Sequence, residues 1–312
     1  MSRRPERRVL VAGLPHFGRQ MAELIAGDGW AAAYVETGER PWRHLATLAR
    51  ETLRADLVYL YGGQVERGSR PEWLLRATRL PAVMHWCGTD VLYARRAQQA
   101  GRASRFLRER VVHLAAAPWL ADELRPVVEA EYLPVASPAV PRDEPAPPFP
   151  SRFTVLAYLP DQRAEFYGRD VAMFVARNLP QARVLVVGGS GGLALALSNV
   201  EALGWQRDLR PLWAETTVLL RTPAHDGLSF MVQEALGWGR HVVWIHGLPG
   251  VTEVRDAEEA VRAVQDLFAR HQRGALGLNE EGMDHARAVF RPELVRAALR
   301  TRFAALLERA AP

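Results

Sequence analysis

The sequence predicts an α/β protein made of two Rossmann-like, doubly wound domains in series, facing each other across a cleft. Three observations carry that prediction. Short apolar runs alternate with longer segments of helical spacing along the chain, and this alternation builds parallel sheets from βαβ units. The length of 312 residues exceeds the roughly 250–300 residues at which a single core stops growing. Finally, PVASPAVPRDEPAPPFP (134–150) carries seven prolines. A stretch that repeatedly fixes φ and lacks amide donors reads as a linker. The division expected is 1–136, a proline-rich linker at 137–151, and 152–312.

In the first domain the runs RVLVAGL (8–14), AAAYVE (31–36), DLVYLYG (56–62), AVMHWCG (82–88) and VVHLAAA (111–117) predict strands. Their nearly unbroken apolar character fits strands covered on both faces. Between them RQMAELIAG (19–27), WRHLATLARETLR (42–54) and EWLLRATR (72–79) have helical spacing. The second domain repeats the scheme with FTVLAYL (153–159), RVLVVGG (183–189), TVLLRT (217–222) and HVVWIHG (241–247). The closing segment ELVRAALRTRFAALLERA (293–310) predicts an amphipathic helix that crosses back toward the first domain.

The formal net charge is +5, and all forty basic residues are arginine. Any anion held by a side chain therefore meets Arg, His or a hydroxyl group. The single cysteine, Cys87, excludes an intramolecular disulfide and a cysteine-rich zinc site, and fits a cytoplasmic protein. The basic N-terminus lacks the apolar length of a signal peptide, and no run approaches the ~20 residues of a membrane span. Segment 93–110 has six arginines against one acid. It reads either as a solvated basic face or as a peripheral contact with anionic membrane. Nucleic acid is not an expected partner, because no recognised module or aromatic stacking pattern accompanies the arginines.

The chemistry concentrates in HDGLSFMVQEAL (225–236). In a doubly wound sheet, ligands bind beyond the C-terminal strand ends. Here TVLLRT is such a strand, and a loop and an apolar helix follow it. The unpaired amides of the helix start suit a phosphate, at Gly227, Leu228 and Ser229. Asp226 lies just before them and Glu234 about two turns on, where carboxylates can accept from sugar and ribose hydroxyls. Gly189 to Ala194 formally match a dinucleotide fingerprint, but the acid expected ~20 residues further on is missing, so nicotinamide binding is not expected.

The spacing from Asp226-Gly227 to Glu234-Ala235 resembles the signature of retaining GT-B glycosyltransferases of the family 4, group 1 type, with Asp in place of the first Glu. These are typified by bacterial lipid and polysaccharide mannosyl- and glucosyltransferases. VEALGWQRDLRPLWAETTVLLR (200–221), GRHVVWI (239–245) and MHWCGTDVL (84–92) extend the resemblance. It implies transfer from a nucleotide-sugar donor to a glycan, lipid-linked or small-molecule acceptor, with retention and without a metal or cofactor. By the same resemblance His85 lies near the transferred sugar with Asp90 beside it, and Asp226 orients that sugar. Gly204 and Trp205 border the base, Glu234 meets the ribose, and Arg163 and Gly18 approach the diphosphate.

Two departures stand out. Tyr167 precedes Gly168 where the family carries lysine, so Arg163 or Arg169 must supply that charge. GLPHFG (13–18) replaces the family's N-terminal Gly-Gly loop. It places His16 where inverting relatives keep a catalytic base, which leaves inversion as an alternative. A GT-B protein that binds sugar nucleotide or glycan without turnover is the third reading.

Overall fold

The computed structural model describes residues 6–13, 15–36, 45–189 and 197–310, without the side chains of His16 and Leu45. Most of the Gly189–Ala194 stretch lies outside the described residues. The chain divides into two compact units, Met1–Pro138 with Pro292–Pro312, and Ala139–Arg291.

The first unit contains strands β1 (Arg7–Gly13), β2 (Trp30–Glu36), β3 (Leu57–Tyr61), β4 (Ala82–Trp86), β5 (Val112–Ala115) and β6 (Glu131–Tyr132). They form one parallel sheet in the order β2-β1-β3-β4-β5-β6. Every residue of β3 and β4 is buried, which explains why LVYLY and AVMHW read as continuous apolar runs. Helices α1 (Pro15–Ile25), α2 (Leu45–Arg54), α3 (Arg70–Thr78), α4 (Asp90–Gln99), α5 (Arg105–Arg110) and α6 (Pro118–Leu124) connect them.

In the second unit, strands β7 (Thr154–Tyr158), β8 (Arg183–Val187), β9 (Val200–Gly204), β10 (Val218–Arg221), β11 (His241–Trp244) and β12 (Val251–Glu253) form a parallel sheet ordered β12-β11-β10-β7-β8-β9. The chain winds outward through β8 and β9, then reverses and continues from β10. The reversal lies between β7 and β10, the switch point at which such sheets open a crevice for ligands. Val155, Val184, Val186, Val218, Leu220 and Val243 supply one core face. Helices α7 (Arg169–Asn178) and α10 (Ala257–Gln272) cover it through Ala172, Val175, Ala260, Val264 and Leu267. Helices α8 (Arg210–Glu215), α9 (Phe230–Gly237) and α11 (Glu280–Val289) complete the unit.

The closing helix α12 (Pro292–Ala310) groups with the first unit. Its Val295, Leu299 and Phe303 are buried, and Phe303 meets the rings of Trp30 and Tyr59. Arg300 donates to the carbonyls of Ile25, Ala26 and Gly27 at the end of α1, and its Nη1 lies 2.9 Å from Asp28. The helix is thus held by apolar packing and by a cation set on a helix C-terminus.

The arginine-rich segment falls on α4 and α5. Of its six arginines, Arg96 lies over the Tyr93 ring, Arg102 pairs with Glu66, Arg105 with Glu109, and Arg108 donates to the Val127 carbonyl. Among the described residues, no helix is long and apolar enough to cross a membrane.

Candidate functional site

The loop after β7 reaches Gly168, which opens α7 at φ +83°. A Cβ on Gly168 would stand 2.3 Å from the Thr222 carbonyl oxygen, so only glycine allows the loops after β7 and β10 to meet this closely. Ala224 also donates to the Phe166 carbonyl at 2.8 Å and stitches the same two loops together. At the end of β8, Gly188 (φ +94°) lies under Tyr158, whose ring a Cβ would strike at 2.5 Å. Its amide donates to the Gly204 carbonyl at 2.8 Å. The next residue, Trp205, is 75% exposed.

β10 ends in Arg221, a cation inside an otherwise apolar wall. Its side chain is only 10% exposed. It donates from Nε to Asp226 Oδ2 at 2.5 Å and from Nη2 to Oδ1 at 2.9 Å. Trp244, at the end of β11, donates to the same Oδ2 at 3.1 Å. The Arg221 guanidinium also lies 5.6 Å from the Tyr167 ring centroid. Burial opposes its charge, but the charge and hydrogen bonds of Asp226 outweigh that and hold its pKa above the ordinary arginine value.

Helix α9 begins at Phe230, with Ser229 as its N-cap and no side-chain cap bond. Gly227 and Leu228 are therefore buried loop residues that precede the helix. Glu234 lies in the middle of α9 and is buried, as is Gln233 beside it. The indole nitrogen of the fully buried Trp213 donates to Glu234 Oε2 at 3.3 Å. Asp226 and Glu234 thus flank the helix start, each gripped by a tryptophan from a neighbouring element.

Arg163 and Arg169 lie on the outside of this arrangement. Arg163 is exposed and stacks 4.2 Å over the Phe166 ring, and Arg169 pairs with Glu165 at 3.0 Å. Arg163, Gly204, Trp205, Asp226, Gly227, Leu228, Ser229 and Glu234 all sit on the C-terminal side of one sheet. The remaining candidates, His16, Gly18, His85 and Asp90, belong to the first unit.

His85, at 0% exposure, is enclosed in the first unit. The Tyr59 hydroxyl donates to its Nδ1 at 2.7 Å, and its Nε2 donates to the Leu133 carbonyl at 2.8 Å. Burial lowers its pKa to about 4. Both ring nitrogens are engaged within the unit, so His85 braces β4 against the segment after β6. Asp90 accepts from the amides of Gly63, Cys87, Gly88 and Val91 and knits the loops after β3 and β4. Burial raises its pKa against those amides. Burial and Asp90 also push the Cys87 thiol well up. Gly18 lies within α1, and a Cβ there would strike the Tyr34 ring at 2.4 Å. The backbone of His16 lies in the first turn of α1, and its side chain is outside the described residues.

Arg221, Trp213 and Trp244 are the site residues that pattern reading alone does not mark. Among the described residues, no group of three or more His, Cys, Asp or Glu is assembled to hold a metal ion.

Two parallel, doubly wound units in one chain, the second carrying this constellation at its switch point, define the two-domain GT-B fold of glycosyltransferases. No family model matches the sequence, and no curated protein matches it. Among solved structures, HepE of Anabaena in complex with UDP-glucose is similar at a TM-score of 0.68 and 12% identity, over 96% of this chain and 99% of that one. A glycosyltransferase from Rickettsia africae is similar at 0.67 and 12%, over 97% and 99%. Sucrose-phosphate synthase of Thermosynechococcus elongatus is similar at 0.67 and 16%, over 97% and 100%. At these identities the likeness is one of fold.

Proposed function

We propose that this chain is a glycosyltransferase that binds a nucleotide sugar, first of all a UDP-sugar, in its second unit. The sugar passes to a glycan, lipid-linked or small-molecule acceptor. The observation that carries the reading is the pair of buried acids, Asp226 and Glu234, on either side of a helix start at the switch point. An exposed tryptophan, Trp205, lies beyond the neighbouring glycine turn. The UDP-glucose held by HepE on the same fold supports the choice of donor.

In this reading the amides at the start of α9 face the diphosphate, aided by the helix dipole. Glu234 accepts from ribose hydroxyls, and Trp205 covers the base. These groups are preorganised, and losing one such donor at a developing anion costs on the order of 2.7–4 kcal/mol in the barrier. The bond between the anomeric carbon and the diphosphate oxygen breaks, and its electron pair leaves with the phosphate. The acceptor oxygen bonds to that carbon from the same face and passes its proton to the departing phosphate oxygen, so configuration is retained. The chain's own donors carry the charge, and the proposal includes no metal.

The test is the melting temperature with UDP, GDP, ADP, CMP and NAD for wild type and Glu234→Ala, followed by product analysis with the matching donor. A ligand at ~100 times its Kd stabilises by about 2.7 kcal/mol. A shift with one nucleoside diphosphate, lost in Glu234→Ala, supports the reading. A shift with NAD alone, or with no nucleotide, overturns it.

A further inference from the structure

We propose that Arg221 is the side-chain cation that meets the donor's diphosphate, and that Asp226 is its positioning residue and makes no contact with the sugar. The inference rests on the donor reading above and assigns the charged group within that site.

Arg221 closes β10 immediately beside β7, so its side chain stands at the switch point itself. Three neighbours fix it. Asp226 takes Nε and Nη2 in a two-point grip, and the Tyr167 ring lies against the guanidinium. Trp244 in turn anchors the carboxylate that does the gripping. The remaining nitrogen, Nη1, bonds to none of the described residues, and it is not among the side-chain atoms that are buried without a partner. Arginine presents donors in a rigid planar fork. A fork held at one edge offers its other edge in a set direction, as phosphate recognition requires.

The other cations of these loops do not compete for the role. Arg163 stacks outward over Phe166, and Arg169 is taken by Glu165. Tyr167 occupies the place next to Gly168 where a cation was expected, and its ring instead supports the arginine supplied by β10.

A buried ion pair gains little over an apolar pair of the same volume. Placing one at the switch point therefore asks for a use beyond stability. The acid accepts from Arg221 at both oxygens and from Trp244 at Oδ2, the arrangement of a carboxylate that orients a cation. As the diphosphate departs with its extra electron pair, Nη1 donates to the phosphate oxygen that gains the charge.

The test is titration calorimetry with UDP, UDP-glucose, uridine and inorganic pyrophosphate on wild type, Arg221→Gln, Arg221→Lys and Asp226→Asn. Arg221→Gln should weaken UDP by about tenfold or more and leave uridine unchanged; tenfold is 1.4 kcal/mol. Arg221→Lys should fall between, because it keeps the charge and loses the fork. Asp226→Asn should weaken UDP and UDP-glucose by the same factor. Loss confined to UDP-glucose would make Asp226 a sugar ligand and overturn the proposal. Full UDP affinity in Arg221→Gln would do the same.

The wild type gives a reading that does not depend on variant folding. The Nε–H resonance of Arg221 should move with UDP and with pyrophosphate and stay still with uridine. A wild type that binds UDP without moving that resonance overturns this inference. One that binds no nucleotide, while pyrophosphate still moves the resonance, overturns the donor reading and keeps the anion site.

Discussion

Arg221 grips Asp226 through two nitrogens, at 2.5 and 2.9 Å, and both side chains are about nine-tenths buried. Breaking such a pair from one side strands a charge away from water. Asp226→Leu should therefore cost about 3–5 kcal/mol of stability. The double variant Arg221→Met with Asp226→Leu should lose clearly less than that single variant, because no charge is left behind. Urea denaturation of the four-member cycle measures the coupling. Additive losses would mean that the pair is not electrostatically closed.

Acid should destabilise the first unit in a window set by two histidines. His85 receives the Tyr59 hydroxyl, and His113 receives the Trp86 indole N–H at 3.1 Å; both contacts need a neutral ring. Burial lowers both pKa values from 6.5 to about 4. The unfolded chain therefore takes up protons that the folded unit refuses between those values. Each histidine contributes stability in full above pH 6.5, and loses it progressively as pH falls toward 4. The loss is about 3 kcal/mol per ring. Melting curves between pH 4 and 8 check the trend, and proton NMR should show both rings unprotonated at pH 5.5. A ring that titrates near 6.5 would contradict the enclosure described.

Arg300 ties the closing helix to the end of α1 through three carbonyls. Arg300→Ala leaves those acceptors without the cation that caps them. Hydrogen bonds to a charged group are worth about 1.5–3 kcal/mol, so a loss of about 2 kcal/mol is expected. Hydrogen exchange should locate it in α12 and the last turn of α1. Exchange that rises uniformly through both units, or does not rise, would show that apolar packing by Leu299 and Phe303 holds the helix without this cap.

How much of this was legible in the sequence depends on how local each feature is. Strands covered on both faces, such as LVYLY and AVMHW, announce themselves by apolar continuity. β6, β9 and β12 do not, because they are two to five residues long and carry exposed side chains such as Glu131, Glu201 and Glu253. The acids at 226 and 234 follow from a loop and helix start that are contiguous in the chain. Their tryptophan partners are not contiguous: Trp213 lies 21 residues from Glu234, and Trp244 lies 18 from Asp226. His85 is closed in by Tyr59 and by Leu133, 26 and 48 residues away, and no local pattern encodes that enclosure. Arg221 ends the apolar run TVLLRT, but its two-point pairing with Asp226 arises only in the fold, so pattern reading does not mark it either.

Trp205 separates binding from folding most cleanly. Its ring is 75% exposed, so it contributes little to the core. Trp205→Ala should leave stability within about 0.5 kcal/mol of wild type, as exposed substitutions generally do. If the indole covers the donor's base, its removal should cost about 1–3 kcal/mol of affinity for UDP, the range of aromatic stacking on a base. That is roughly 5- to 150-fold in Kd. Pyrophosphate has no base, and its affinity should not change. Trp205→Phe keeps a ring and should recover most of the loss. Calorimetry with UDP and pyrophosphate on the two variants and wild type decides the point. Equal losses for both ligands would trace the effect to the neighbouring Gly188–Gly204 turn, and unchanged UDP binding would move the base to another wall of the site.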